Sequence, residues 1–342
     1  MTAPQYGAPE VPMNNQQPNV DVSVVAPIYN EEKNVELLCS KLFEALSALK
    51  RSWEIILVDD GSTDTSWAKM VEMSKKIPHL RIIRFRRNFG QTAAMSAGFN
   101  HARGRVIVTL DADLQNDPAD IGKLLDRADQ GFDVVSGWRK DRKDKFLSRR
   151  LPSMIANSII SKITGVDLHD YGCTLKAYHR DVIKNIRLYG EMHRFIPALA
   201  SWVGGQLDEV VVSHHPRQFG RSKYGISRTI RVILDLFTVK FLLHYSMGPI
   251  QLFGKLGGLF GIPGLLMLAL MAVGNLSYRL FGTEFAADLV KRPFWIMTAF
   301  MLIFFGVQFI SIGLLAEMQI RTYHESQDKP IYVIKETLES QV

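Results

Sequence analysis

Two stretches without a charged side chain constrain this chain more than any other feature. Leu256–Tyr278 and Phe294–Ala316 each run 23 residues with no Asp, Glu, Lys or Arg. Either run exceeds the roughly 18–20 residues that cross a bilayer core, so a purely soluble protein is discarded as a reading. The mean hydropathy of the whole chain is only +0.02, because these spans are averaged with a charge-rich remainder. Hydrophobic residues at 47% and charged residues at 22% exclude a disordered or collagen-like chain.

With spans present, the net charge of +7 points to anionic lipid headgroups and phosphate ligands rather than to nucleic acid. The two cysteines, Cys39 and Cys173, offer neither metal spacing nor a disulfide framework, which suits a reducing compartment. Met1–Asn19 is rich in Pro, Gln and Asn and has no Lys or Arg. It predicts a disordered tail and lacks the basic and apolar regions of a signal peptide.

Between the tail and the spans the pattern alternates. Val22–Ile28, Trp53–Val58, Leu80–Phe85 and Arg105–Leu110 read as buried strands, and the segments 32–49, 65–76 and 92–102 as helices. This rhythm predicts an α/β fold with a mostly parallel sheet and helices on both faces. Ligands in such sheets bind beyond the carboxyl ends of the strands. Polar clusters sit at those ends: Tyr29-Asn30-Glu31, Asp59-Asp60 and Asp111-Ala112-Asp113. Past residue 225, Arg228–Tyr245 is mostly apolar with scattered charges, which predicts helices lying in the membrane interface; core helices of the soluble domain are the alternative. Then come the spans, about Gln251–Tyr278 and Phe294–Glu317. The pairs Gly254/Gly258 and Gly257/Gly261 in the first are spaced for helix packing. Two spans place both termini on one side, expected to be the cytoplasm. The expected divisions are a tail over 1–20, an α/β domain over 21–225, interfacial helices over 226–248, a two-helix unit over 249–320 and a cytoplasmic tail over 321–342.

Four constellations carry chemistry. Asp111-Ala112-Asp113-Leu114-Gln115 follows a buried strand, so both carboxylates and the Gln amide oxygen can serve a hard cation such as Mg²⁺ or Mn²⁺. Asp59-Asp60-Gly61-Ser62 makes a tight turn whose acids can accept base or ribose donors, and Asp64 reads as a helix cap. Arg217, Arg221 and Lys223, with Ser222 between them, form a candidate phosphate clamp; a solvated basic loop is the alternative. Asp170 or His169 could act in acid–base chemistry, or belong to a polar turn. Adjacent His214 and His215 face opposite ways on a strand and so do not share a metal. No dinucleotide fingerprint, phosphate-binding P-loop or hydrolase elbow occurs.

The runs V-A-P-I-Y-N-E-E (25–32), V-D-D-G-S-T-D (58–64), N-F-G-Q (88–91) and D-A-D-L-Q (111–115), with the two spans, resemble family 2 glycosyltransferases of the polyisoprenyl-phosphate branch. That branch includes dolichol-phosphate mannose synthases, bactoprenol glucosyltransferases and undecaprenyl-phosphate formamido-arabinose transferases. D-Y-G-C-T-L-K-A-Y (170–178), R-F-I-P (194–197) and F-G-x-S-K-Y (219–224) look most like the last. The resemblance implies a GT-A fold and transfer of a sugar from a nucleotide-sugar, UDP-linked as the close relatives suggest, to a polyisoprenyl phosphate at the membrane by a homo-oligomer, a tetramer. Pro27, Tyr29, Glu31 and Asp59 or Asp60 would hold the nucleotide, Asp111 would sit by the ribose and diphosphate, and Asp113 and Gln115 would bind the metal. Arg217, Arg221, Ser222 and Lys223 would hold phosphate. Where glucosyltransferase-like members carry G-D-F-R, this chain reads Cys173-Thr174-Leu175-Lys176, so the acid often assigned as base falls on Thr174 and Asp170 is a nearby substitute. Rival readings are a catalytically silent nucleotide-sugar or lipid-binding subunit and a processive polysaccharide synthase; the chain has no Q-x-x-R-W motif of the latter.

Overall fold

The computed structural model describes residues 20–140, 157, 160–162, 164–186, 188, 192–216, 249–282, 293–326 and 331–340. The basic run from Arg217 to Lys223 and the expected interfacial helices at 226–248 lie outside the described residues. The chain divides into two compact units, Met1–Asp235 with Ile331–Val342, and Leu236–Pro330.

The first unit is built on an eight-stranded sheet among the described residues, in the order β7-β5-β6-β4-β1-β2-β3-β8. Its strands are β1 (Val22–Ile28), β2 (Trp53–Asp59), β3 (Leu80–Phe85), β4 (Val106–Thr109), β5 (Val134–Trp138), β6 (Lys176–His179), β7 (Leu207–Val211) and β8 (Ile334–Glu339). β1 pairs in parallel with β2 and β4, and β2 with β3. β6 runs antiparallel between β4 and β5, and β8 antiparallel on β3. Helices α1 (Val35–Ala48), α2 (Ser66–Ser74), α3 (Gln91–His101) and α4 (Ile121–Ala128) connect the strands. The central strands are apolar almost throughout because helices cover both faces of the sheet. α1 buries Val35, Leu38, Cys39, Leu42 and Leu46 at three- and four-residue spacing, onto the core formed by β1 and β2.

The stretch 321–342, expected as a tail, instead carries β8 and closes the sheet edge. Its sequence, IKETLE, has no apolar alternation that would announce a strand. What docks it is charge: Glu336 answers Arg84, and Glu339 answers Arg81 and Arg103.

Among the described residues the second unit contains two helices, Pro249–Phe281 and Pro293–Ser326. Both contain spans long and apolar enough to cross a membrane, Leu252–Phe281 and Pro293–Ala316, with mean hydropathies of 2.1 and 2.3. Only 17% of each tested window is buried within the structure, whereas core helices of a soluble protein are mostly buried. Of the two spaced glycine pairs, one packs. A Cβ at Gly257 would lie 2.6 Å from Ile310 Cγ1, and one at Gly306 would lie 2.7 Å from Gly261 Cα. Gly254 faces nothing within 4 Å. Such close approach is how helices associate where no hydrophobic gradient drives them. Gly306→Leu is therefore expected to lower the thermal midpoint of the detergent-purified protein by several degrees, and Gly254→Leu to leave it unchanged, in a fluorescence melting assay.

Candidate active site

The parallel pairing delivers the polar clusters to one place. Ile28 stands opposite Asp59 across the β1–β2 ladder, and Val25 opposite Thr109 across β1–β4. The residues just past these positions therefore emerge together at the carboxyl edge. There a cleft is lined by Pro27, Ile28, Tyr29, Glu31, Asp60, Asn88, Gly90, Gln91, Asp111, Ala112 and Asp113. Six of the residues named from the sequence, Pro27, Tyr29, Glu31, Asp60, Asp111 and Asp113, thus face one space.

The two acids of the Asp59-Asp60 pair have different surroundings. Asp59 is fully buried; its Oδ1 accepts the Ser62 N–H at 2.9 Å, and its Oδ2 lies 3.3 Å from Arg84 Nε. It shapes the turn and does not line the cleft. Asp60 does. Its Oδ1 accepts the Phe89 N–H at 2.6 Å and its Oδ2 the Gly90 N–H at 2.9 Å, which fastens the β3–α3 loop over the turn. Gly61, at φ +69°, permits this approach, since a Cβ there would lie 2.4 Å from the Arg87 carbonyl carbon. Burial outweighs the two N–H donors and pushes the Asp60 carboxyl up to about 6. Asp64, read as a cap, stands one residue before the Thr65 N-cap of α2, and its Oδ1 accepts the Ser66 N–H at 2.9 Å.

In the loop after β4, Leu114 takes a left-handed backbone at φ +59°. The turn lets Gln115 N–H reach back 3.1 Å to Asp113 Oδ1. Gln91 Nε2 donates to Asp111 Oδ1 at 2.7 Å, and the Thr174 hydroxyl donates to the same carboxylate. Burial, and then the charge of Asp113, hold the Asp111 carboxyl above the ordinary range. Gln115 is not among the residues lining the cleft; its backbone O accepts the His215 N–H at 2.8 Å. Among the described residues no cluster of three His, Cys, Asp or Glu gathers as a complete metal cage. Two crowded carboxylates in an open cleft fit instead a hard divalent cation that takes its other ligands from phosphate and water.

Asp170 lies elsewhere. It is 2% exposed, and Arg139 grips both its oxygens, Nε to Oδ2 at 2.7 Å and Nη2 to Oδ1 at 3.0 Å. The Gly172 N–H adds a third donor at 3.1 Å. A carboxylate held this way orients Arg139 and is not an available base. His169 stacks on Trp138, with centroids 4.2 Å apart, and its Nδ1 lies 2.8 Å from Glu209. Thr174, at the position of the absent acid, also accepts from Asn116 Nδ2 at 3.0 Å. Arg139 and Arg194, whose charges both act on Asp111, were missed as site candidates. Isolated arginines carry no spacing signal: Arg139 follows the end of β5, whereas Arg194 lies in the turn Met192–Phe195, more than fifty residues further along the chain. His214 bridges to Asn116, while His215 Nε2 meets Asp117 at 2.9 Å, so the two histidines indeed have different partners.

A mostly parallel, mixed α/β sheet with acidic turns at its carboxyl edge has the GT-A-like architecture. Residues 23–187 match Glycosyl transferase family 2. The dodecaprenyl-phosphate galacturonate synthase of Rhizobium johnstonii is 44% identical over 96% of this chain and 96% of its own. An undecaprenyl-phosphate 4-deoxy-4-formamido-L-arabinose transferase of Salmonella choleraesuis is 38% identical over 95% and 96%. Among solved structures, mannosyl-3-phosphoglycerate synthase from Rubrobacter xylanophilus superposes with a TM-score of 0.52 at 14% identity, covering 65% of this chain and 74% of that one. That likeness shows the fold. The chain belongs to the family 2 glycosyltransferases and is a glycosyltransferase.

The raised Asp60 carboxyl predicts a pH signature. A group whose folded pKa lies above its unfolded value stabilises the fold at low pH and loses that contribution as pH rises through the folded value. Relative to Asp60→Asn, the wild type is expected to lose stability between about pH 4 and pH 6 and to hold a constant difference above, read as thermal midpoints across pH.

Proposed function

We propose that this enzyme moves a sugar from a nucleotide-sugar, UDP-linked, to a polyisoprenyl phosphate such as undecaprenyl phosphate, giving a lipid-linked sugar for the cell envelope. The observation that carries this reading is the convergence of Asp60, Asp111 and Asp113 on one cleft beside Tyr29 and Glu31. The names of the relatives at 44% and 38% identity, both polyprenyl-phosphate enzymes, support the acceptor. So do the two apolar helices.

Pro27, Tyr29, Glu31 and Asp60 line the space for the nucleotide, and Asp59 supports the turn beneath it. Asp111 and Asp113 would hold Mg²⁺ or Mn²⁺, which would supply positive charge to the leaving diphosphate; Gln115, outside the cleft, braces Asp113 through its backbone N–H. The acceptor phosphate has a second pKa near 6, so its oxygen is anionic at neutral pH and needs positioning more than deprotonation. That oxygen bonds to the anomeric carbon as the carbon–oxygen bond to the diphosphate breaks, and the single displacement inverts the carbon. Arg139, braced by Asp170, and Arg194 contribute charge beside Asp111. Arg217, Arg221, Ser222 and Lys223 hold phosphate in this proposal; His215, two residues before Arg217, is bonded to the Gln115 backbone.

The chain leaves the sheet, passes through both long helices and rejoins the sheet at β8. Two crossings of an inner membrane with the catalytic unit and both termini in the cytoplasm satisfy that path. A homotetramer is proposed from the resemblance alone, and light scattering of the detergent-solubilised protein tests it.

Purified protein with undecaprenyl phosphate and a panel of radiolabelled UDP-, GDP- and dTDP-sugars is expected to form labelled lipid with a UDP donor. Chelation should abolish the reaction and Mg²⁺ or Mn²⁺ restore it. Asp113→Asn should cost about 10²–10³ in turnover, the scale of losing one electrostatic stabiliser. No transfer with any donor, although nucleotide binds, would overturn the reading in favour of a silent binding subunit. Asp170→Asn and Arg139→Lys should each lower turnover about tenfold, and their combination should cost little more than either alone, because the two act as one unit.

A further inference from the structure

The segment that returns from the second long helix does more than cover a sheet edge. Tyr332 is 6% exposed and stacks on Phe85, with centroids 5.1 Å apart and planes at 12°. Phe85, 1% exposed, meets Phe89 edge-on at 5.7 Å and 89°. Phe89 and Gly90 are the residues whose N–H groups donate to Asp60. The Tyr332 hydroxyl accepts from Asn100 Nδ2 at 3.0 Å, which ties the same ring to α3. The neighbouring Val333 O accepts the Arg86 N–H at 3.0 Å. The loop between β3 and α3 supplies Asn88 and Gly90 to the cleft, and the first residue of α3 supplies Gln91. Tyr332 thus grips the strand before that loop and the helix after it, without itself lining the cleft.

We propose that Tyr332 is a positioning residue for the donor half of the cleft, setting the 86–91 loop through the Tyr332–Phe85–Phe89 stack and the bond to Asn100. This rests on the transferase reading above. Its consequence is that the donor cleft is braced by a residue the chain reaches only after both long helices. Aromatic contacts of this geometry carry energy beyond their buried area, and here that energy fixes where the Phe89 and Gly90 N–H groups point.

The test uses the full chain in detergent with three variants. Tyr332→Ala removes the stack, Tyr332→Phe keeps it and loses the hydroxyl, and Leu125→Ala on α4, a buried residue that does not line the cleft, serves as a control that weakens the core. Tyr332→Ala is expected to weaken UDP binding, and to raise the donor KM, by about three- to tenfold, the range one aromatic contact converts to. The KM for the lipid acceptor should not move, and Tyr332→Phe should restore donor KM to within about twofold of wild type. Hydrogen exchange at the Phe89 and Gly90 amides should quicken in Tyr332→Ala and not in Leu125→Ala. An unchanged donor KM with unchanged exchange overturns the proposal. So does an equal rise in both KM values, or an equal donor effect in Leu125→Ala at matched loss of thermal midpoint. If the wild type binds neither UDP nor GDP, the transferase reading fails instead, and the exchange data alone then decide whether Tyr332 sets the loop.

Discussion

The site depends on one constraint, the parallel register of β1 with β2 on one side and β4 on the other. Parallel strands end at the same edge, so three turns that are far apart in sequence arrive together. The apolar runs that compel burial of these strands on both faces are therefore also what assembles the acids. At the opposite end of the same strands the polar groups satisfy one another. Ser23 donates to Glu54 Oε1 at 2.6 Å, Arg81 donates to Glu54 Oε2 at 3.1 Å, and the Arg103 N–H reaches Glu54 Oε1 at 2.7 Å. The network runs on to Glu339 of β8, which pairs with both Arg81 and Arg103, and losing one partner of a buried pair such as Arg81–Glu54 costs about 3–5 kcal/mol.

The acids at the carboxyl edge divide by whether they line the cleft. Asp59 is committed to Ser62 and Arg84, and Asp170 to Arg139 and Gly172. Asp111 and Asp113 face the cleft, and the charge of one raises the proton affinity of the other. Proximity that is unfavourable without a cation becomes favourable with one, and this separates candidate ligands from structural carboxylates of the same residue type. It also resolves the missing acid: Thr174 sits on Asp111 as a hydrogen-bond donor, and a phosphate nucleophile requires no base in its place.

The helical pair and the sheet are linked by covalent return as well as by sequence order. β8 comes after the second long helix and lies on β3, and Arg84 pairs with both Glu336 of β8 and Asp59 at the end of β2. Within the pair, Gly257 and Gly261 against Gly306 let the two backbones approach closely, and the other spaced glycines are not used.

Much of this was legible in the residues themselves. The spans, the four central strands, the helices between them and the acidic turns follow from hydrophobic period and from turn chemistry, which are local properties. The sequence also brought Tyr29, Glu31, Asp60, Asp111 and Asp113 forward, as polar clusters at the ends of buried runs, and the family resemblance added Pro27. Three things were decided only by tertiary structure. Which of Asp59 and Asp60 faces the cleft depends on Arg84 arriving from β3, and the role of Asp170 depends on Arg139 at the end of β5. The third is β8, whose charged sequence reads as a tail until the arginines of β3 stand opposite it. Each is a pairing of charges distant along the chain, and periodicity carries no record of such partners.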